Sequence, residues 1–153
     1  MKGMIERTFV MLKPDAVQRG LVGDILARLE AKGLKPIAMK FMRIPKELAE
    51  RHYGEHKGKT FFAPLIEYMT SGPVLVMVWE GENAVASVRA MMGKTNPQDA
   101  MPGTIRGDFG QQTGRNLVHG SDSVDSAKRE VQLFFNDYEI IDWRRSVDPW
   151  LFE

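Results

Sequence analysis

The chain has 153 residues, 43% of them hydrophobic and 27% charged, with a formal net charge of +1. That length suits one domain that buries a core without covalent staples, and the near-neutral balance argues against nucleic acid as the main partner. There is no cysteine, which excludes disulfides and thiolate metal sites, the opening MKGMIERTFV lacks the apolar stretch of a secretory signal, and the longest apolar run, residues 74–79, is too short to span a bilayer. The expectation is a single domain over 1–153, located in the cytoplasm, with no membrane partner.

Residues 8–12 form an apolar run that stops at Lys13-Pro14 and read as a buried strand. Leu21, Val22, Ile25, Leu26 and Leu29 recur at helical spacing, and Gly33 is placed to end that helix. Residues 34–44 carry Ile37, Met39 and Phe41 at period two, the pattern of a second strand. Pro45 opens PKELAERHY as a helix, and residues 61–69 read as another short one. GPVLVMVWE, residues 72–80, is continuously apolar, as in a central strand. Asn83 is expected to cap a helix that runs to Met92 and ends at Gly93. Periodicity then disappears over residues 94–115, which hold Pro97, Pro102, Gly103, Gly107, Gly110 and Gly114. Structureless loops longer than about 12–15 residues are usually functional or disordered. Residues 116–119 read as a last strand. Ser121 or Ser123 is placed to cap a last helix, with Asp122 and Asp125 in its first turn and Val124, Ala127, Val131 and Phe134 as its apolar stripe.

No internal repeat interrupts this order. With the central helical pair set aside, it is β-α-β-β-α-β. The fold class predicted is α+β: a ferredoxin-like sandwich in which a four-stranded antiparallel sheet carries helices on one face, with an inserted helical pair and a long loop before the last strand.

Two stretches come near a phosphate loop without being one. Gly58-Lys59-Thr60 and Gly93-Lys94-Thr95 both contain GKT, but the leading glycine of a G-x-x-x-x-G-K-[ST] pattern is replaced by Tyr53 and Val88 respectively, and neither tripeptide directly follows a strand. Of the three histidines, His52 and His56 flank Gly54 in HYGEH, a poor match to a helical zinc pair, and default to surface or helix-end positions. His119 lies between a strand end and a helix start, in GRNLVHGSDS. An imidazole is substantially neutral near neutral pH, and it acts as a nucleophile when one ring nitrogen is fixed while the other reacts. Glu130, eleven residues on, borders the apolar stripe of the next helix, and a buried-edge glutamate usually has a partner. From the residues alone, a core histidine satisfied by a neighbour and a nucleophile held by Glu130 stay equally open.

NLVHGSDS closely resembles the active-site signature of nucleoside diphosphate kinases, as do ERTFVMLKPDAVQRGLVGDI, SGPVLVMVWEG and TNPQDAMPGTIRGDFG. The likeness runs in the family's order from Glu6 to the end of the chain. It implies transfer of the γ-phosphoryl group of a nucleoside triphosphate, typically ATP, to a nucleoside diphosphate by a ping-pong route through a phosphohistidine, which maintains NTP and dNTP pools. On this resemblance His119 is the nucleophile, attacking through Nδ1, and Glu130 holds Nε2. Lys13 reaches the sugar 3′-hydroxyl and the transferring group, and Tyr53 donates a nearby hydroxyl. Arg89, Thr95 and Arg106 contact phosphates, Asn116 is a second ribose contact, and Phe61 is the platform under the base. Mg²⁺ rides on the phosphates with no direct protein ligand, Asp122 reaching it through water. Taken singly, Phe61 reads as core, Arg89 as a solvated face, Thr95 as a turn and Tyr53 as a helix end; together, at matching positions, they read as one cleft. Two departures stand out: Lys59-Thr60 where the family often has Arg-Pro before the stacking Phe, and Gln111-Gln112-Thr113 in place of a more apolar run.

The resemblance also implies a homo-oligomer, a hexamer rather than a tetramer, with the 94–115 loop near a threefold axis and the DPWLFE tail on a neighbour. Trp150, Leu151 and Phe152 are independently too apolar for a solvated chain end. The alternative function is a nucleotide-binding phosphohistidine carrier or regulator that acts on protein partners; such a carrier needs His119 but no base platform. A DNA-binding side role is a third reading, and the near-neutral charge disfavours it as the main task.

Overall fold

The structure, a computed structural model, describes residues 4–153. Strand β1 (Ile5–Leu12) leads into a short helix α1 (Pro14–Gln18) and then α2 (Val22–Ala31). Strand β2 (Lys35–Met42) precedes the helical pair α3 (Lys46–His52) and α4 (Phe62–Met69), joined through a 3-10 turn at Gly54–His56. Strand β3 (Val74–Glu82) is followed by α5 (Ala84–Met92), a turn at Pro97–Asp99, and α6 (Ile105–Phe109). Strand β4 (Val118–Gly120), α7 (Val124–Phe134), a turn at Asp137–Glu139 and the terminal α8 (Asp148–Leu151) complete the order. The sheet runs β2-β3-β1-β4, every pair antiparallel, as the ferredoxin-like expectation requires.

One expectation is corrected: helices cover both faces of the sheet. Side chains alternate along a strand. Val10, Leu12, Leu75, Met77 and Trp79 therefore point to one side, where they meet Ile25 and Leu29 of α2 and Val88 and Met92 of α5. Phe9, Met11, Val74, Val76 and Val78 point to the other, against Ala49 of α3, Ile66 and Met69 of α4 and Phe134 of α7. Because β1 and β3 are central and run apolar over residues 9–12 and 74–79, neither face tolerates water there, and each needs its own helical layer. Phe9 and Phe134 stack at 4.9 Å, and each fully buried ring contributes about 1.5–3 kcal/mol.

Local departures have equally local causes. Gly33 has φ +99°, as expected just past a helix end. Asn83 does precede α5, but in the left-handed region (φ 49°) and with no side-chain cap; Glu6 accepts from the Val85 amide instead. The 94–115 segment is not featureless: Thr104 caps α6 by accepting from the Gly107 amide, and Asn96 caps the turn before it. The last strand starts at Val118 rather than 116, because Leu117 has φ +74° and the Val118 amide donates across it to the Asn116 carbonyl at 2.8 Å. Val124 is exposed, and Glu130 takes a buried place beside Ala127 and Phe134 on α7.

Candidate active site

His119 is registered opposite Met11 at the edge of the sheet, between buried Val118 and Gly120. Its ring lies over the α3/α4/α7 face, 5.9 Å from Phe9. Gly120 is needed there: a Cβ would sit 2.5 Å from Met92 Sδ and 3.2 Å from Val88 of α5. The chain then turns at once into α7, where Ser123 caps the helix by accepting from the Ser126 amide. Two turns later α7 returns Glu130 to the histidine.

The expected pair is present. His119 Nε2 and Glu130 Oε2 are 2.6 Å apart, and the other carboxylate oxygen accepts from Ser121 Oγ at 2.6 Å. Glu130 is almost wholly buried. Ser121 caps nothing; its hydroxyl is committed to this carboxylate, and the helix cap falls to Ser123. No protein group takes His119 Nδ1 among the described residues.

A cleft of about 550 Å³ opens beside this pair, lined by Lys13, Tyr53, Arg89, Thr95, Arg106, Asn116 and Asp122 with His119 and Glu130. The structure thus gathers every candidate except Phe61, which stands at the rim, 48% exposed, 5.2 Å from the His56 ring and under Lys59. Lys13, Arg89, Arg106 and Arg129 outnumber the lining carboxylates Glu55, Asp122 and Glu130, so the cleft is cationic in a chain of net charge +1. Asn116 joins two walls: its Oδ1 accepts from Lys13 Nζ at 2.8 Å and its Nδ2 donates to the Thr95 carbonyl at 2.9 Å. Burial, reinforced by Arg106, pushes the Lys13 ammonium down to about 8, although Asp15 opposes the shift. Arg106 donates to the carbonyls of Asn116, Gly93 and Val118, which leaves two of its five donors. Burial and then Arg89 lower it to about 10, so it stays charged at neutral pH. Arg89 reaches the Gly120 carbonyl at 3.4 Å. The Tyr53 hydroxyl is buried without a protein partner, and burial raises its pKa, so it is a protonated donor awaiting an acceptor. The Ser126 hydroxyl leads the groups that keep the Asp122 carboxyl below the usual range.

Three contributors were not legible beforehand. His52 is no surface residue: it is 4% exposed, its ring edge-on to His119 at 4.8 Å, and burial holds it neutral by pushing its pKa down to about 2. Asp15 accepts from the Leu117 amide at 3.1 Å and from the Tyr68 hydroxyl, and so ties down the left-handed residue two places before the histidine. Ser121 is the third. The apolar positions of AERHY carried a faint signal for His52, since Ala49 and His52 share one helical face.

The fold and this site define an α+β protein with a cationic cleft, chemically suited to anionic groups, beside a carboxylate-held histidine. The family model for nucleoside diphosphate kinase matches residues 6–140. A nucleoside diphosphate kinase of Archaeoglobus fulgidus is 58% identical over 97% of this chain and 99% of its own length. One from Natronomonas pharaonis is 60% identical over 97% of each. Among solved structures, a halophilic nucleoside diphosphate kinase from Halobacterium salinarum in complex with CDP superposes with TM-score 0.96 at 57% identity, covering 98% of this chain and all of that one. A family protein from Babesia bovis gives TM-score 0.94 at 47% identity, covering 96% and 99%. The chain belongs to the nucleoside diphosphate kinase family. Its activity is transfer of a phosphoryl group from a nucleoside triphosphate to a nucleoside diphosphate, by the phosphohistidine route general to that family. No helix among the described residues is long and apolar enough to cross a membrane.

Proposed function

We propose that the phosphoryl group is carried on Nδ1 of His119, within one domain spanning 1–153. The observation that carries this is the 2.6 Å contact between Nε2 and Glu130. A carboxylate accepting from Nε2–H fixes the tautomer that leaves the lone pair on Nδ1. In the first half-reaction that lone pair attacks the γ-phosphorus in line, the bond from phosphorus to the β-bridging oxygen breaks, and the diphosphate leaves with the bond's electrons. The second half-reaction reverses this with another diphosphate, so the kinetics are ping-pong. Such transfer asks mainly for positioning and charge stabilisation. Arg89, Arg106 and Thr95 hold phosphate oxygens, Tyr53 and Lys13 donate towards the transferring group, Lys13 and Asn116 hold the ribose, and Phe61 stacks on the base. Stacking on a ring tolerates every base.

The donor set fits Mg²⁺ carried by the nucleotide. The cleft offers mostly N–H donors; of its three carboxylates Glu130 is engaged by His119 and Ser121, while Asp122 and Glu55 stand in the lining, and Mg²⁺ keeps waters and binds substrate phosphates in preference to protein cages. When bound, Mg²⁺ neutralises phosphate charge; Asp122 would hold one of its waters. We place the protein in the cytoplasm as a homo-oligomer, a hexamer in preference to a tetramer. Supporting this, Phe41 and Met39 on edge strand β2 and Trp150 on α8 are exposed, Trp150 to 89%. Deleting residues 148–153 is expected to lower the melting temperature or dissociate the assembly. No change in either would count against docking of the tail.

The direct test incubates the chain with γ-labelled GTP and Mg²⁺ without acceptor. Acid-labile, base-stable label that added ADP discharges as ATP is the expected result. Label that ADP cannot remove would point to a carrier acting on proteins, and absence of label would sink the covalent route. A pH profile tests Lys13 separately. Its ammonium is present below pH about 8 and lost above, so kcat/KM should fall as pH rises through that value. Bound phosphate stabilises the cation, so the same limb in kcat should move to higher pH. A kcat/KM that stays flat to pH 10 would remove Lys13 from the chemistry.

A further inference from the structure

We propose that His52, His119 and Glu130 form a binding site for one zinc-type divalent transition-metal ion, and that the ion silences the enzyme by taking Nε2 of His119. One ligand atom from each residue lies within 4.8 Å of the other two. His52 Nδ1 is 3.7 Å from Glu130 Oε2, and His119 Nε2 is 2.6 Å from the same oxygen.

His52 calls for an explanation that phosphoryl transfer does not supply. It is 4% exposed, and neither of its ring nitrogens has a hydrogen-bond partner. An unsatisfied buried donor or acceptor costs about 1–3 kcal/mol, and native proteins rarely retain one without a reason. The ring is wedged between Phe9, Phe134 and Tyr53 at 6.0, 5.4 and 4.5 Å, which fixes its direction. A neutral imidazole held in this way is a ready ligand.

Two imidazole nitrogens and one carboxylate make up a three-ligand zinc set, with the fourth position left for water. Zinc takes such donors at about 2.0–2.2 Å, which separates tetrahedral ligands by roughly 3.3 Å. The 3.7 Å contact has to close slightly, the 2.6 Å contact to open slightly, and the two imidazole ligands, within 4.8 Å, to draw together. With the His52 ring held, these movements fall to the partly exposed His119 ring and the Glu130 carboxylate at the cleft wall, which all three residues line. Ser121 already orients the carboxylate from behind. Imidazole donors select zinc, copper or nickel over Mg²⁺, so the site would not compete for the metal that accompanies the nucleotide.

On binding, Nε2 of His119 gives its electron pair to the metal, and the one proton of the neutral ring passes by exchange with solvent from Nε2 to Nδ1. Glu130 no longer sets the tautomer, and a protonated Nδ1 has no lone pair with which to attack phosphorus. This inhibition, though not the binding, rests on the role proposed for His119.

The first experiment titrates the nucleotide-free, full-length protein with Co²⁺ and then Zn²⁺. Intense visible d–d bands of four-coordinate Co²⁺ at one ion per chain, abolished by Zn²⁺ and unaffected by Mg²⁺, are expected. Their absence in the wild type overturns the site and needs no variant. His52→Gln should weaken Zn²⁺ affinity by more than about 10-fold; a folded variant, by circular dichroism, with unchanged affinity would overturn the assignment. The second experiment follows label transfer from γ-labelled GTP at free Zn²⁺ set by a chelating buffer. The rate should fall at least about 10-fold on saturation, and less in His52→Gln relative to its own zinc-free rate. An undiminished wild-type rate overturns the silencing. A chain that gives the Co²⁺ spectrum but never takes up label would keep the metal site and sink the phosphohistidine reading.

Discussion

Substituting His119 by glutamine is expected to lower kcat/KM by roughly 10⁴-fold or more and to abolish acid-labile labelling by γ-labelled GTP. Glutamine keeps a polar side chain of similar reach but offers no ring nitrogen with a free lone pair. The nucleotide groups proposed at Arg89, Thr95, Asn116 and Phe61 are untouched, so the Kd for nucleoside diphosphate should change little. The loss should therefore appear in the chemical step. The histidine is partly open to the cleft while Glu130 is buried, so the substitution leaves the carboxylate without its main partner but still holding the Ser121 hydroxyl. A modest fall in melting temperature is the expected accompaniment. A variant that still accepts label would move the nucleophile to another residue.

Substituting Arg106 by alanine should damage both the fold and the activity. The guanidinium satisfies three backbone carbonyls, those of Gly93, Asn116 and Val118, at 3.1, 3.2 and 2.7 Å. Arg106 is only 6% exposed. Its removal strands acceptors that water reaches poorly, and this costs about 3–5 kcal/mol. A chain of this size then loses on the order of 10 °C in melting temperature. The carbonyls concerned lie after α5 and on either side of Leu117, so the same change loosens the path into His119 and removes a cation from the cleft. Calorimetry and kinetics separate the two effects. An unchanged melting temperature would refute the bracing role, and a fallen one with intact kcat/KM would show that the guanidinium does not serve the phosphates.

The sequence carried the strand and helix order because apolar periodicity is local; it left His119 and Glu130 open as a pair, which only the family resemblance implied, because spacing along the chain does not say where α7 returns its side chains. It misplaced His52. Helical spacing set that residue beside Ala49 but could not say that α7 would cover the face they share. It read 94–115 as loop because α6 spans only Ile105–Phe109 and depends on the Thr104 cap and on Gly107, where a Cβ would meet the Met101 carbonyl at 2.0 Å. It put helices on one face because right-handed crossovers do set α2 and α5 on a common side, while nothing local says where the inserted α3/α4 pair and the terminal α7 dock.

By itself, then, the sequence determined the element order, the apolar character of β1 and β3, and a specific set of cleft residues in family order. Each of these depends on neighbours along the chain or on a pattern of residue types. Only the tertiary structure decided that Asp15, 102 residues from Leu117, braces the turn before the histidine, that Ser121 serves Glu130 rather than a helix end, and that His52 lies unsatisfied against His119. These are contacts across the sheet and between layers, where distance along the chain carries no information and buried polar groups find partners by position in space.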